Sequence, residues 1–538
     1  MKLIEFASAE ILRGGFYTPE PIAAFMLRWG INGSSTFDIL EPSCGDGVFL
    51  EQILKQKQKY KSITAIEFDE IEAKKADKIE LADTKIINAD FHVYCNDTTD
   101  KFDLVIGNPP YIRYQYFNED QQKEAALVFK KAGLTYSKLT NAWVSFVVGS
   151  SLLLKDKGKI GFVVPAELLQ VTYAQQLRSF LAYFYNKINI ISFEKLVFPH
   201  IQQEVVLLLC EKDGSSEHKI EHLELRDADA LKDLDVNILR SPQKTIDFRN
   251  NKWTFYFLEQ KEIDFLENVA ERFKIPTIGK FANVEVGITT GSNDFFTVNT
   301  AAVEQFQLQE FARPMVGRSV QINSLIFRKD DWLKNKDSKA KANLLVFPNR
   351  DEVKKHHGAM AYIEIGENQD IHKGYKCGIR DDWFVVPSLK ISDALFLRRN
   401  NIFPKFVLNE ANAYTTDTMH RVFLKKDVDI RALIASYYNS VSLAFAEICG
   451  RSYGGGVLEL MPNEVEKMLL PFHENNAELL EEIDTMFRNK CSIDEILKTT
   501  DKKILCEKWG FSDEDIQLAN GIWKKLCLRR TNRGKSKS

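Results

Sequence analysis

From about residue 37 the chain alternates short runs of β-branched and aliphatic residues with longer stretches of helical spacing, and this alternation narrows the fold more than any other feature. "TFDIL", "SITAIEF", "TKIIN", "FDLVIG", "KIGFVVP", "NIISF" and "EVVLLLCEK" read as strands. "FLEQILKQKQ", "NAWVSFVVGSSLLLK" and "YAQQLRSFLAYFY" read as helices between several of them. Strands apolar on both faces and joined by helical crossovers build a parallel sheet covered on both sides. An α/β domain is therefore expected over residues 1–245.

A chain of 538 residues exceeds what one core ordinarily holds. After the polar stretch "RDADALKDLDVNILRSPQ" the pattern turns irregular, with short strands, turn residues and scattered aromatic and basic side chains. A loop-rich α+β domain is expected over 246–428. Residues 429–538 read as mostly helical, from "DIRALIASYYNSVSLAFAEI" and "NAELLEEIDTMF", with "YGGG" at 453 to 456 as a turn between helix and strand.

In an open parallel sheet, ligands collect beyond the carboxyl ends of the strands, so the residues just after each strand come first for function. "EPSCGDGVFL", residues 41 to 50, follows the first strand. Gly45 and Gly47 there serve either a tight strand-to-helix turn or the close approach of a ligand. The next strand ends in "IEFD". Glu67 then stands where a carboxylate accepts from both ribose hydroxyls of a nucleoside cofactor, or is a solvated loop residue. "NADF" places Asp90 to accept from an exocyclic amine and Phe91 to pack on a purine, unless Asp90 simply caps a turn.

The fourth strand ends in "NPPY", residues 108 to 111. Two adjacent prolines remove two backbone donors but leave their carbonyls as acceptors. The Asn108 side-chain oxygen and the Pro109 carbonyl can then accept from one amino group, with Pro110 stiffening the turn and Tyr111 offering a face for a base. Two acceptors on an aromatic amine draw its lone pair out of conjugation and make the nitrogen nucleophilic. The plainer alternative is a rigid turn.

The formal net charge of −3 carries no global basic signal, so nucleic-acid binding has to rest on local patches. One such patch lies between Asn520 and Ser538, where Lys524, Lys525, Arg529, Arg530, Arg533, Lys535 and Lys537 occur with no acidic residue. It suits phosphates or a solvated tail. The eight cysteines form no C-x-x-C pair or Cys/His cluster, which argues against a zinc site or a disulfide framework and for a reducing compartment. Apolar runs such as "VVLLLC" are far short of a membrane span, and a cytoplasmic location is expected.

Taken in order, "GGFYTPEPIAAFML", "EPSCGDGVFL", "IEFD", "NADF" and "NPPY" resemble the motifs of the gamma-class adenine-N6 DNA methyltransferases, the Taq-type group. The resemblance covers roughly the first 210 residues. It implies a Rossmann-like, seven-stranded sheet binding S-adenosylmethionine, followed by a DNA target-recognition domain and C-terminal helices. Tyr17, Thr18 and Pro19 would form the motif before the sheet, with Thr18 near the methionine carboxylate. Glu41, Ser43, Cys44, Gly45, Asp46 and Gly47 would line the methionine and sugar, and Glu67 would hold the ribose. Phe68 and Phe91 would flank the adenine of the cofactor, with Asp90 at its amino group. Asn108, Pro109, Pro110 and Tyr111 would hold the target adenine, and Asn108 also borders the cofactor.

"LVFPHIQQEVVLLL" resembles the family motif whose phenylalanine stacks on the other face of a flipped base, which points to Phe198. The alternative for Phe198 is a core aromatic at a strand edge. The implied reaction is direct in-line methyl transfer to the N6 amino group of adenine in double-stranded DNA, without a metal. Pairing with a restriction endonuclease is implied, and a monomer is expected.

Three later segments, "VEVGITTGSNDFF", "GYKCGIRDDWFVVP" and "PKFVLNEANAYTTDTMHRVF", resemble recurrent pieces of target-recognition domains. Arg313, Arg318, Arg328, Arg350, Lys354, Lys355, Arg380 and Arg421 would supply phosphate or base contacts, or be solvated charges. Rival readings keep the fold but methylate RNA or a protein glutamine, or keep only DNA recognition. Glu352-Val353-Lys354 has nuclease-like E-x-K spacing without the upstream aspartate, so modification without cleavage is expected.

Overall fold

A computed structural model describes residues 17–31, 36–112, 116–138, 140–198, 204–246, 248, 252–453 and 455–535. The chain forms two compact units, one ending at Ile263 and one beginning at Asp264.

The first unit is built on a nine-stranded sheet. Its strands are β1 (Asp38–Glu41), β2 (Ser62–Glu67), β3 (Thr84–Asn88), β4 (Phe102–Gly107), β5 (Leu154–Pro165), β6 (Lys187–Phe193), β7 (Val205–Glu211), β8 (Lys219–Leu225) and β9 (Lys244–Thr245). They lie in the order β3-β2-β1-β4-β5-β7-β6-β8-β9. The first five run parallel, and β7 inserts antiparallel between β5 and β6. Burial on both faces explains the unbroken apolar runs: Leu104, Val105, Ile160, Phe162, Val163, Leu207 and Leu208 have no exposed surface. Strand order reverses between β1 and β4, and this opens a crevice at their carboxyl ends.

Seven strands agree with the sequence reading. The added edge, β8 and β9, was hidden because "HKIEHLEL" mixes polar with apolar positions, as a partly exposed strand does. The polar stretch after it does not leave the unit. Leu231 and Leu239 are buried there; the Leu231 carbonyl accepts from Arg28 Nη2 at 2.6 Å and the Leu239 carbonyl from Asn189 Nδ2 at 2.9 Å. The compact unit accordingly continues past residue 245, to Ile263.

The second unit holds a four-stranded antiparallel sheet in the order Ala282–Val286, Met419–Leu424, Ala394–Leu397, Phe406–Leu408. It also holds two three-stranded sheets, helices such as Lys329–Asp337 and His357–Asn368, and a set of helices from Ile430 onward. The "YGGG" turn joins two paired strands, Arg451–Tyr453 and Val457–Glu459, rather than a helix to a strand. The final helix, Asp513–Lys535, carries Arg530, which was expected in a phosphate-binding or solvated tail. Its side chain is only 2% exposed and pairs with Glu447, 4% exposed, at 2.6 Å. Arg530 also donates to the carbonyls of Asn401, Gly456 and Ile402. Lys524 is paired with Asp494.

Candidate active site

The loop after β1 turns through two left-handed glycines, Gly45 at φ 55° and Gly47 at φ 99°. Gly47 starts the helix Val48–Gln56, and a Cβ on it would lie 2.5 Å from Ile79 Cδ1. Beyond its chain neighbours, no described residue comes within 4 Å of where a Gly45 Cβ would be. Glu67, at the end of β2, fixes this loop: its Oε2 accepts from Gly45 N at 2.9 Å and its Oε1 from Asp69 N at 2.8 Å. The Cys44 N–H donates to the Ile66 carbonyl at 2.9 Å and ties the tips of β1 and β2 together.

These loops enclose a cavity of about 640 Å³ beyond the carboxyl ends of β1 to β4. Its walls bring together Tyr17, Thr18, Glu41, Ser43, Cys44, Gly45, Asp46, Glu67, Phe68, Asp90, Phe91, Asn108 and Pro110, residues from every strand-end motif. Glu41 is buried, and its Oε2 has no hydrogen-bond partner among the described residues. Burial, then the Glu67 and Asp46 carboxylates, hold the Glu41 carboxyl well above its usual range. Burial also raises Glu67 and Asp46. Burial pushes the Cys44 thiol far up, which disqualifies it as a nucleophile.

The third wall follows β3. Asp90 does cap the helix Phe91–Asp97, by accepting from His92 N at 2.7 Å, and it lines the cavity as well. Phe91 is buried and stacks on Phe146 at 4.8 Å between ring centres, whereas Phe68 is 66% exposed. His92, Tyr116, Phe117, Gln121 and Phe146 also line the cavity. These were missed in the sequence, because none follows a strand directly except His92, whose place after "NADF" was the available signal.

At the end of β4, Ser43 Oγ donates to the Asn108 carbonyl at 3.2 Å and so ties the N-P-P-Y turn to the β1 loop. The Tyr111 hydroxyl donates to Asn108 Oδ1 at 2.8 Å and lies 3.0 Å from the Val163 carbonyl; with a single proton it serves one of them at a time. The Tyr111 ring packs against the same apolar core that contains Phe198, itself only 7% exposed. Pro109 is buried, and the Pro19 carbonyl accepts from Ile22 N and Ala23 N at the start of the helix Glu20–Ile31. Pro19, Gly47, Pro109, Tyr111 and Phe198 are not among the residues lining the cavity.

In the second unit, several of the expected DNA contacts are engaged in the fold. Arg328 pairs with Glu481 and Asp484, and Arg350 with Glu367. Buried Arg421 donates to the carbonyls of Val286 and Ser388, and Arg380 donates to that of Thr289. Arg313, Arg318, Lys354 and Lys355 are exposed. Among the described residues no cluster of metal-binding side chains occurs, and no helix is long and apolar enough to cross a membrane.

A sheet of order 3-2-1-4-5-7-6 with β7 reversed, and a strand-end cavity ringed by carboxylates and glycines, define the fold of the S-adenosylmethionine-dependent methyltransferases. The family model of the Eco57I restriction-modification methylase matches residues 25–198, and that of the C-terminal domain of type II methyltransferase M.Eco57I matches residues 250–505. The chain belongs with the type II restriction-modification methyltransferases of this Eco57I-like kind. It is 27% identical over 522 residues to the type II methyltransferase M.AccI of Acinetobacter calcoaceticus, spanning 92% of this chain and 93% of that one. It is 23% identical over 484 residues to M.XamI of Xanthomonas campestris pv. amaranthicola, 86% of each chain. To M.HincII of Haemophilus influenzae it is 31% identical over 192 residues, 35% of this chain and 34% of that one.

Proposed function

We propose that the protein methylates the N6 amino group of an adenine turned out of duplex DNA at a defined sequence, protecting that sequence from a partner endonuclease. The observation that carries this reading is the hydrogen bond from Ser43 to the Asn108 carbonyl, which sets the N-P-P-Y turn at the border of the carboxylate-ringed cavity. That cavity fits S-adenosylmethionine. Glu41 offers a buried acceptor with no partner among the described residues, Gly45 leaves room beside its backbone, and Asp90 stands beside the aromatic wall of Phe91. When bound, the cofactor supplies a methyl group on a sulfonium, ready for in-line displacement.

The remaining work falls to the chain. Glu67 holds the ribose, and Phe68 and Phe91 the purine of the cofactor, while Thr18 and the loop 43–47 hold the methionine end. Asn108 Oδ1 and the Pro109 carbonyl accept from the target amino group, and withdrawing its lone pair from the ring makes it nucleophilic. Tyr111, with Phe198 on the other face, offsets part of the unstacking cost of the extruded base, about a few kcal/mol. Residues beyond 264 read the DNA sequence.

The test is transfer of labelled methyl to unmethylated duplex DNA, followed by digestion to nucleosides. Label in N6-methyladenine is expected. Label in cytosine, in RNA or in a protein amide would overturn the substrate assignment. Asn108→Ala should keep affinity for S-adenosylhomocysteine while transfer falls by about a hundredfold or more.

A further inference from the structure

Asp90 accepts twice on one oxygen. Its Oδ1 takes the His92 backbone N–H at 2.7 Å and lies 3.1 Å from His92 Nδ1. A carboxylate oxygen only accepts, so this contact is satisfied by a hydrogen on Nδ1. The opposite ring nitrogen, Nε2, lies 2.6 Å from Ser145 Oγ, which lies 2.9 Å from the Ala142 carbonyl; the single Ser145 proton serves one of them at a time. The imidazole is buried, with Phe146 edge-on at 5.0 Å and Phe117 at 6.2 Å, so it has no room to swing away.

Helix capping alone needs only the backbone bond, and the terminal torsion of an aspartate is broad and nearly two-fold. A second donor on the same oxygen fixes the plane of the carboxylate. Oδ2 then has a 3.5 Å approach from Gln121 Nε2, at the outer limit of a hydrogen bond, on a residue that lines the cavity. We propose that His92, anchored by Ser145, is a positioning residue that aims Asp90 Oδ2 at the exocyclic amino group of the bound purine, and so sets the preference of the site for a 6-amino over a 6-oxo purine. The proposal rests on the cofactor reading above. An amino group donates to Oδ2, whereas a 6-oxo group presents oxygen to oxygen, and such mismatches are rejected strongly in a site built for one donor.

The experiment is calorimetric titration of the full chain with S-adenosylhomocysteine and with its 6-oxo counterpart, S-inosylhomocysteine. The wild type should prefer the adenosyl ligand by about tenfold or more. His92→Phe keeps an aromatic ring without the donor and should bring the ratio of affinities to within about threefold of one. His92→Asn, whose amide nitrogen stands close to where Nδ1 is, should restore most of the ratio. Ser145→Ala, a small change that releases Nε2, should lower it in part and guards against a failure of His92→Phe to fold. A purely structural role would lower both affinities together, and an unchanged ratio in both His92→Phe and Ser145→Ala would overturn the proposal alone. Failure of the wild type to bind either ligand would overturn the cofactor reading and this proposal with it.

Discussion

Two residues show how the site uses burial. Glu41 is shut away beside the Glu67 and Asp46 carboxylates, so its proton is held more tightly than in water. An ammonium group on a bound ligand favours the ionised form. Binding is then coupled to proton release, and affinity for S-adenosylhomocysteine should rise with pH up to the raised ionisation point and level off beyond it. Calorimetry in buffers of different ionisation enthalpy should detect proton release in the wild type and none from this site in Glu41→Gln; equal release would place the ammonium elsewhere. Tyr111 presents the opposite case, a polar group whose hydrogen bond lies against Asn108. If its ring serves as a stacking face, Tyr111→Phe should keep turnover within about threefold while Tyr111→Ala loses about a hundredfold. Single-turnover methyl transfer separates these outcomes.

At the scale of elements, the strand ends were legible because each carries its chemistry within a few residues of an apolar run. "EPSCGDG", "IEF", "NADF" and "NPPY" all border one cavity because parallel strands bring their carboxyl ends to one edge. What lies across that edge from another element was not legible. Ser145 meets His92 from 53 residues away, and nothing local to "NAWVSFVV" marks it. Phe198, read by resemblance as a stacking face for a flipped base or else as a core aromatic at a strand edge, is buried and packs in the core of the first unit. Arg530 belongs to the same class of miss, since a run of cations without acids says nothing of a glutamate 83 residues earlier. Removing one member of this buried pair leaves the other uncompensated. Arg530→Ala should cost about 3–5 kcal/mol of stability, and Arg530→Met combined with Glu447→Leu should recover most of it. Urea unfolding measures both.

For the whole molecule, the alternation of strands and helices identified one compact unit, and composition alone could not draw its boundary. The polar stretch after β8 is held in that unit by two apolar residues within it, Leu231 and Leu239. The irregular second unit was readable as separate but not as sheets, because its strands are mostly two to six residues long. The proposed division of labour between the units makes a prediction. Exchanging residues from 264 onward for the matching part of a relative with another target should move the methylated adenine to that relative's sequence. Sequencing of methylated DNA would show it, and retention of the original target would put sequence reading in the first unit.

The buried pair of Glu447 and Arg530 also sets a clock. At synthesis rates of about 5–20 residues per second, the 83 residues between them take roughly 4–17 s to make. For that interval the glutamate has no arginine to meet, and its helix has every reason to leave it in water. The first unit, whose nine strands all precede Ile263, is under no such delay. During each round of translation, a finished sheet should wait on a second half whose core cannot close.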